Sequence, residues 1–494
     1  QWSAGLGGGA LVANPIPDQN ATSGMNWNFM VPANTFIDPE NDPVVFTGAK
    51  LADGNDLPCW LTFDAGSGTF DGIPAHPSVI DIEVFASDGF SEASDIFTLV
   101  ITKQNPLLEY MTSISLGSFD EGAAEIVDYD PLTQRLFVTN AEFNTIDVLD
   151  FTDPMNPSLI QQLDITPYGG GINSLSVKNG YVVAAIENTD PQMNGKAVFF
   201  ESTGTCNYVV DVEVGPLPDM VTFTPDGNKV LVANEGEPND DYTVDPLGSV
   251  SIIDISGGIP SLSQSNVTTL DFSSITAGML DPSVRIFGNN GAATIAQDIE
   301  PEYIAVSGDS QTALVTLQEN NAVGIIDLTT NMILGVKGLG FKNHMLNGNT
   351  LDAYDKADDI EFRNWPVYGM YLPDAIKSYT TGGNTYYVTA NEGDSRDYDG
   401  YSEETRVKDL TLDPVVFPNA AELQQNKNLG RLKTTLANGD IDNDGEWEEI
   451  YSYGTRSFSI WDATGNLVFD SGDDFEKIIA AAYPTYFNST NDDN

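Results

Sequence analysis

Basic residues are scarce in this sequence. Its 494 residues hold 20 Lys and Arg against 73 Asp and Glu, a formal net charge of −53. A surface this negative repels phosphate backbones and anionic bilayers, which excludes nucleic acid as a partner and argues against membrane insertion. Histidine is scarcer still: only His76 and His344 occur, and neither lies in a motif that would support a Ser-His-Asp triad. The two cysteines, Cys59 and Cys206, are far apart and form neither a disulfide framework nor a CxxC metal or redox motif. No apolar run reaches the ~18 residues of a membrane-spanning helix. P-loop, nucleophile elbow and His-rich zinc motifs are absent as well.

What remains is a folded protein with an acidic skin. Hydrophobic residues make up 41% and aromatic residues 10% of the chain, too much for a disordered acidic tail. The length suits more than one domain. Such a surface suits divalent cations, basic partners or a salty medium. Opening on Gln1 rather than Met predicts a processed, exported protein, secreted or held at the cell surface. The triplets Asn20-Ala-Thr, Asn266-Val-Thr and Asn488-Ser-Thr are glycosylation-type signals of low specificity.

Residues 12–104 differ in texture from the rest. Runs such as "DIEVFASD" and "DIFTLVIT" alternate as half-buried strands do, between Gly, Asp and Pro turns. With "LPCWLTFD", "GTFDGIP" and "VFASDGF" in order, this stretch resembles the cadherin-like, dystroglycan-type immunoglobulin-fold modules of secreted proteins. The resemblance implies a β-sandwich whose end loops hold calcium. The matching acidic residues are Asp38, Glu40 and Asp42 in one loop and Asp88 in the "ASDG" turn; solvated turn aspartates are the alternative. Residues 1–11 are Gly-rich and apolar. They are expected to be flexible and to link protomers by adding a strand to a neighbour's edge.

From residue 105 to 494 a unit recurs: a strand, an Asp/Gly/Asn turn, a second strand, a polar corner, and a third strand usually closing on Asp. "AEIVDYDPLTQRLFVTNAEFNTIDVLDF" and "PEYIAVSGDSQTALVTLQENNAVGIIDL" are two copies. This is the pattern of β-propeller blades, with insertions near 256–296, 328–370 and 397–450. The chain is therefore expected to be all-β, a sandwich followed by a propeller. The register places Glu125, Asn173, Asp219, Glu302 and Asp374 at the start of first strands. Asn140, Glu187, Glu235, Glu319 and Glu392 close the second strands. Such a ring either stitches blades together through hydrogen bonds or forms a negative funnel for a cation or basic ligand. Two corners share a phrase, "KVLVANEGEPNDDY" at 229–242 and "TYYVTANEGDSRDY" at 385–398. Their loops add Glu237, Asp240, Asp241, Asp394, Asp397 and Asp399 as lesser metal candidates, with Asp358 and Asp359 weaker. Arg396 and Arg456 stand out in so acidic a chain, as ion-pair partners of the corners or as a recognition device for carboxylate, sulfate or phosphate.

The densest motif is "NGDIDNDGEWEEIYSYG". Asp440, Asp442 and Asp444 alternate ahead of Gly445, as in the first half of an EF-hand loop. Tyr451 stands where the twelfth-position Glu would be, so Glu446, Glu448 or Glu449 must complete any calcium shell. A short stretch, "DDFEKIIAAAYP", predicts a core-packed helix capped by Asp473 and ended by Pro484.

"VLVANEGEPNDDY", "YGMYLPDAIKSY", "YYVTANEGDSRDY" and "SYGTRSFSIWDA" together resemble the choice-of-anchor I family of secreted bacterial proteins, over about 110–494. That family is similar to the mesenchyme-specific cell-surface glycoproteins of biomineralising animals. The resemblance implies a seven-bladed parent, of which this chain carries about five openings. The expected function is that of a calcium-binding surface or matrix protein, structural or adhesive, in homo-oligomers or an extracellular polymer. The alternatives are a calcium-dependent phosphatase or esterase at the propeller mouth, and a binder of glycans or basic proteins.

Overall fold

The structure, a computed structural model, describes residues 11–488 apart from 13, 39–41, 59, 75–76, 103–109, 119–121 and 357–359. Glu40, Cys59, His76, Asp358 and Asp359 thus lie outside the described residues. The chain forms two compact units, residues 1–110 and 111–494.

The first unit is a β-sandwich. One sheet runs Gln19–Thr22, Glu92–Thr102, Ser78–Ser87, Val45–Leu51, and the other Trp27–Met30, Thr69–Gly72, Leu61–Asp64. Period-2 alternation along Glu92–Thr102 buries Phe97, Leu99 and Ile101, because successive side chains of a strand point to opposite faces. They join Trp27, Leu61, Phe70 and Val84 in one core, where the Phe63 and Phe70 rings lie 4.5 Å apart. Leu11–Val12 pairs antiparallel with Phe36–Ile37 of the same unit. Residues 1–10, where an intermolecular strand was expected, lie outside the described residues.

The second unit contains five four-stranded antiparallel sheets in chain order. Their innermost strands, Val127–Asp130, Ile172–Lys178, Pro218–Phe223, Pro301–Val306 and Ile376–Thr381, each pack against the next. This is blade succession in a propeller. The middle strands read as continuous apolar runs because both of their faces are covered. Val182 faces the first blade and Val183 the third; Val230 faces the second and Leu231 the fourth; Val315 and Leu314 divide in the same way. Each blade interface is therefore a separate apolar layer, and alternation is visible only in which layer a residue joins.

The recurring polar positions have structural roles. Asp150, Asp254, Asp327 and Asp462 end third strands, and each accepts the backbone N–H two residues on at 2.7–2.9 Å, closing an Asx turn. Within the repeated phrase, Asn234 and Asn391 do the same work. Each is the last residue of its strand and is buried. Asn234 Nδ2 donates to Ser249 and Ser251 hydroxyls on the adjacent strand, and Asn391 Nδ2 to those of Ser457 and Ser459. The glycine that follows, Gly236 or Gly393, adopts positive φ (71° and 94°), and a Cβ on Gly393 would lie 2.1 Å from the Gly454 nitrogen. Asn anchors the corner, Gly turns it, and the Glu between them projects onward.

Two insertions leave the fourth and fifth blades and fold together. Phe341–Asn343, Tyr368–Met370 and Tyr451–Ser452 form one small sheet, above a separate core that includes Leu351, Trp365, Val407, Leu412, Leu429 and Ile450. The final helix spans Asp474–Ala482. Asp473 stands at its N-cap position, but the carboxylate makes no capping bond. It accepts the Thr350 N–H at 3.0 Å and pairs with Lys477 at 2.7 Å. Nor is the helix packed into a core on its apolar side: Glu476 and Ala480 are buried, whereas Phe475, Ile478 and Ile479 are exposed.

The corner geometry predicts that Asn391→Ala, which removes two buried hydrogen bonds to serine hydroxyls, costs about 1–3 kcal/mol of propeller stability. Asn156→Ala, on an exposed turn, should cost well under 1 kcal/mol by the usual surface rule. Denaturant unfolding of both variants checks the contrast.

Candidate functional site

The innermost strands carry their acidic residues to one place. Asp219 and Glu302 are the second residues of the third and fourth innermost strands, and Asp374 precedes the fifth. Glu235, Glu319 and Glu392 follow the ends of the second strands of the same three blades. Burial and mutual repulsion raise the carboxyls of Asp219, Glu235, Glu302, Glu319 and Asp374. Burial, then Asp374, Glu237 and Glu125, push Asp219 up to about 7. Burial and the nearby Glu302, Glu237, Asp219 and Glu319 raise Glu235 well above the usual carboxylate range, and Glu302 is raised by burial, Glu319, Asp219 and Asp374. Asp374 rises through burial, Glu392 and Asp394. Glu125, Glu392 and Asp394 are exposed at the rim. Not every ring position faces this well. Asn140 is buried against Asp147 and the Leu116 carbonyl, and Asn173 donates to the Pro218 carbonyl of the next blade at 3.1 Å. Those two are stitches.

The two copies of the repeated phrase meet at this mouth. Tyr398 Oη donates to Glu237 Oε1 at 2.8 Å, the Gly400 N–H donates to the Asp240 carbonyl at 2.7 Å, and the Tyr242 and Tyr398 rings lie edge to face at 5.3 Å. Arg396 enters from the second copy. Its guanidinium is fully buried, with Nη1 3.0 Å from Asp298 Oδ1 and Nη2 2.9 Å from Glu300 Oε2. Nη2 also donates to the Asp298 carbonyl at 2.7 Å. Arg285, buried as deeply, donates from Nη1 to the Glu319 carbonyl at 2.8 Å and from Nε to Asn438 Oδ1 at 2.9 Å, and it ion-pairs with Glu403. Both guanidinium groups lie over the Phe287 ring, at 4.1 Å for Arg285 and 4.7 Å for Arg396. Arg285, Asp298, Glu300, Glu403 and Phe287 were not singled out from sequence. They lie in inserted segments that do not repeat, and only tertiary folding brings them together.

Arg456 is a different case. It is half-exposed, takes a left-handed backbone (φ 51°), donates to the Asp352 carbonyl at 2.8 Å and pairs with Glu476 of the last helix. With Gly393, Asp394, Arg431, Lys433 and Tyr453 it lines a polar cleft of about 360 Å³. Its cations are paired: Arg431 binds Asp355 through two contacts of 2.5 and 2.8 Å, and Lys433 binds Glu404 at 2.7 Å.

In the 438–454 loop, Asp440, Asp442 and Asp444 bring carboxylate oxygens within 4.8 Å of one another. Asp440 accepts the Asp444 and Gly445 N–H groups at 3.1 and 3.0 Å, and Gly445 takes φ 90°. Burial and the Asp444, Asp413, Glu448 and Asp442 charges raise the Glu446 carboxyl. Glu448 points instead at the Ile441 N–H, 2.7 Å away, and Glu449 accepts from the Tyr451 hydroxyl at 2.5 Å. Among the described residues, no similar convergence includes Asp38, Asp42 or Asp88. Asp88 accepts the Phe90 and Ser91 N–H groups at 2.7 Å, which hold its carboxyl below the usual range, and Asp38 accepts the Asp42 N–H at 3.1 Å. His344 is buried with Nδ1 2.8 Å from the Asn349 carbonyl, and burial pushes it down to about 4, so the ring is neutral at physiological pH.

The mouth makes a prediction about pH. Its raised carboxyls hold protons in the folded chain where the unfolded chain has released them. Stability must therefore fall as pH rises from the ordinary carboxylate range, near 4, toward about 7. Glu302→Gln removes one contributor and should flatten that fall in thermal midpoints between about pH 4.5 and 7.5. Parallel profiles for parent and variant would contradict the assignment.

The family model of the choice-of-anchor I domain matches residues 125–494, and an Ig-domain model matches residues 10–102. A mesenchyme-specific cell surface glycoprotein of Strongylocentrotus purpuratus is 30% identical over 227 residues, 41% of this chain; the match spans only 29% of that relative's length. Among solved structures, a Lactobacillus plantarum protein aligns over 73% of this chain and 82% of its own, at 13% identity and TM-score 0.34. The Cps50 (Swd1) β-propeller domain of Myceliophteria thermophila aligns over 72% of this chain and 88% of its own, at 11% identity and TM-score 0.33. These structural likenesses are weak, but the first match covers most of the sequence, and the chain belongs to the choice-of-anchor I domain family.

Proposed function

We propose that this chain is an extracellular surface protein, structural or adhesive in role, whose propeller is braced by calcium. Support for the location comes from the choice-of-anchor family and from the cell-surface name of the sea-urchin relative. No helix among the described residues is long and apolar enough to cross a membrane. In this reading the partners are further copies of the chain or matrix polymers, which an acidic surface engages through divalent cations or basic groups.

The observation that carries the calcium reading is the convergence of Asp440, Asp442 and Asp444. Calcium binds oxygens at about 2.3–2.6 Å, so oxygens up to about 5 Å apart can share one ion. Hard carboxylate oxygens on a loop with a positive-φ glycine fit it chemically. Glu446, whose carboxyl is raised by those same neighbours, would supply a further oxygen. A bound ion would offset repulsion that the loop otherwise carries alone. Its role would be structural, because the loop hydrogen-bonds into the insertion core: Trp447 N–H to the Thr411 carbonyl at 2.8 Å and Asp413 N–H to the Trp447 carbonyl at 3.0 Å.

The cleft beside Arg456 favours a second reading, in which the chain binds an acidic glycan. It gathers Arg431, Lys433 and Arg456 in a protein with 20 basic residues in all. Because every one of those cations is already paired, a ligand would have to displace a resident carboxylate. The scaffold reading requires no such exchange.

Thermal unfolding against free calcium, with EGTA as the zero point, tests the first reading. The midpoint should rise with calcium by mass action, and Asp442→Asn with Asp444→Asn should remove most of the rise. A rise that is unchanged in the double variant would remove this loop from the account.

A further inference from the structure

The cations at the propeller mouth are unevenly shared. Arg396 neutralises one side: its two terminal nitrogens are committed to Asp298 and Glu300. Asp219, Glu235, Glu302 and Asp374, drawn from three successive blades, have no such partner. None of these four carboxylates accepts a hydrogen bond, and none forms an ion pair with a Lys or Arg, among the described residues. Glu319 stands between the two groups. It has Arg396 as a neighbour on one side, and it contributes to the repulsion felt by Glu235 and Glu302 on the other. Its side chain is more than nine-tenths buried, yet Oε2 has no hydrogen-bond partner. Buried polar atoms in native proteins are nearly always satisfied. An orphaned carboxylate oxygen set among further unpaired carboxylates therefore marks a missing positive charge.

The spacing of the oxygens says what kind of charge fits. Outside the 440–444 loop, no three described carboxylates bring oxygens within 4.8 Å of one another. A bare calcium ion, which replaces most of its water with protein oxygens, would not find its shell there. A smaller divalent ion that binds through one or two carboxylates and keeps several waters needs no such convergence. Its waters would donate to the remaining carboxylates.

We propose that Asp219, Glu235, Glu302 and Glu319 form a second cation site at the propeller axis, taking a hydrated divalent ion of the magnesium type. This site is separate from the 440–444 loop and does not depend on that loop being filled. The ion would tie the third blade to the fourth, where Arg396 already ties the inserted loop to Asp298 and Glu300.

The test uses the full chain carrying Asp442→Asn and Asp444→Asn, so that the loop is silent. Isothermal titration with magnesium chloride should still register one equivalent, with a matching rise in thermal midpoint, whereas calcium chloride should produce only a small response. Adding Glu302→Gln and Asp219→Asn should weaken that equivalent by about tenfold or more, a loss that outer-shell changes alone can produce at metal sites. The same pair should leave the metal-free midpoint unchanged or higher, because it removes unpaired buried charge; this outcome also shows that the variant folds. Three results would overturn the proposal. One is loss of all divalent response in the loop variant. Another is a response to methylammonium chloride but not to magnesium. The third is a lower metal-free midpoint for Glu302→Gln with Asp219→Asn, which would mark those groups as structural partners. A calcium response that survives intact in the loop variant would instead count against the loop reading, so the two assignments fail separately.

Discussion

One buried guanidinium holds the propeller mouth in its present form. Arg396 reaches inward from an inserted loop and meets Asp298 and Glu300, with Phe287 beneath it. Stripping water from three such charges is costly, and their mutual attraction repays that cost only when geometry and hydrogen bonding are nearly complete. Arg285 completes the arrangement from a second direction, by binding the Glu319 carbonyl and Glu403. The carboxylates of the third and fourth blades are tolerated at the axis because this pair of cations stands behind them. That dependence explains why the loop leaving the fifth blade's second strand packs so closely on the segment that opens the fourth.

The same constraint organises the rest of the acidic surface. Away from the axis, carboxylates are stabilised one at a time by local backbone donors, as in the Asx turns of Asp150, Asp254, Asp327 and Asp462. Each of these turns holds its carboxyl below the ordinary range. At the axis Asp219, Glu235, Glu302 and Asp374 accept no such bond among the described residues, and their carboxyls are raised instead. Acidic residues thus divide into two classes: those that a turn satisfies, and those that require a cation or a proton. Composition alone shows only their number.

Much of this fold was legible in the sequence, and for a physical reason. A blade's middle strand is covered on both faces, so it writes an unbroken apolar run between polar corners. The Asn-Glu-Gly corner repeats because Asn234 and Asn391 make the same bonds to paired serines. The acidic ring could be read in part: the register that aligned the blades also aligned Asp219, Glu302 and Asp374, whereas Asn140 and Asn173 turned out to be bonded into the sheets. The second tier could not be read. Arg285, Asp298 and Glu300 sit in segments with no period to compare, and their meeting is a tertiary event. The final helix shows the converse failure, since its apolar pattern implied a core and its Phe475, Ile478 and Ile479 are exposed. Periodicity identifies a helix, but it does not say what covers it.

The most direct test of this account is the stability of Arg396→Met across pH. Removing the guanidinium leaves Asp298 and Glu300 as buried, unpaired charges, an error that typically costs about 3–5 kcal/mol. The account predicts a large loss of propeller stability at pH 7.5 that shrinks markedly near pH 4.5, where protons can replace the missing cation. A variant as stable as the parent at pH 7.5, or one whose loss is the same at both pH values, would show that the mouth does not rest on this cation.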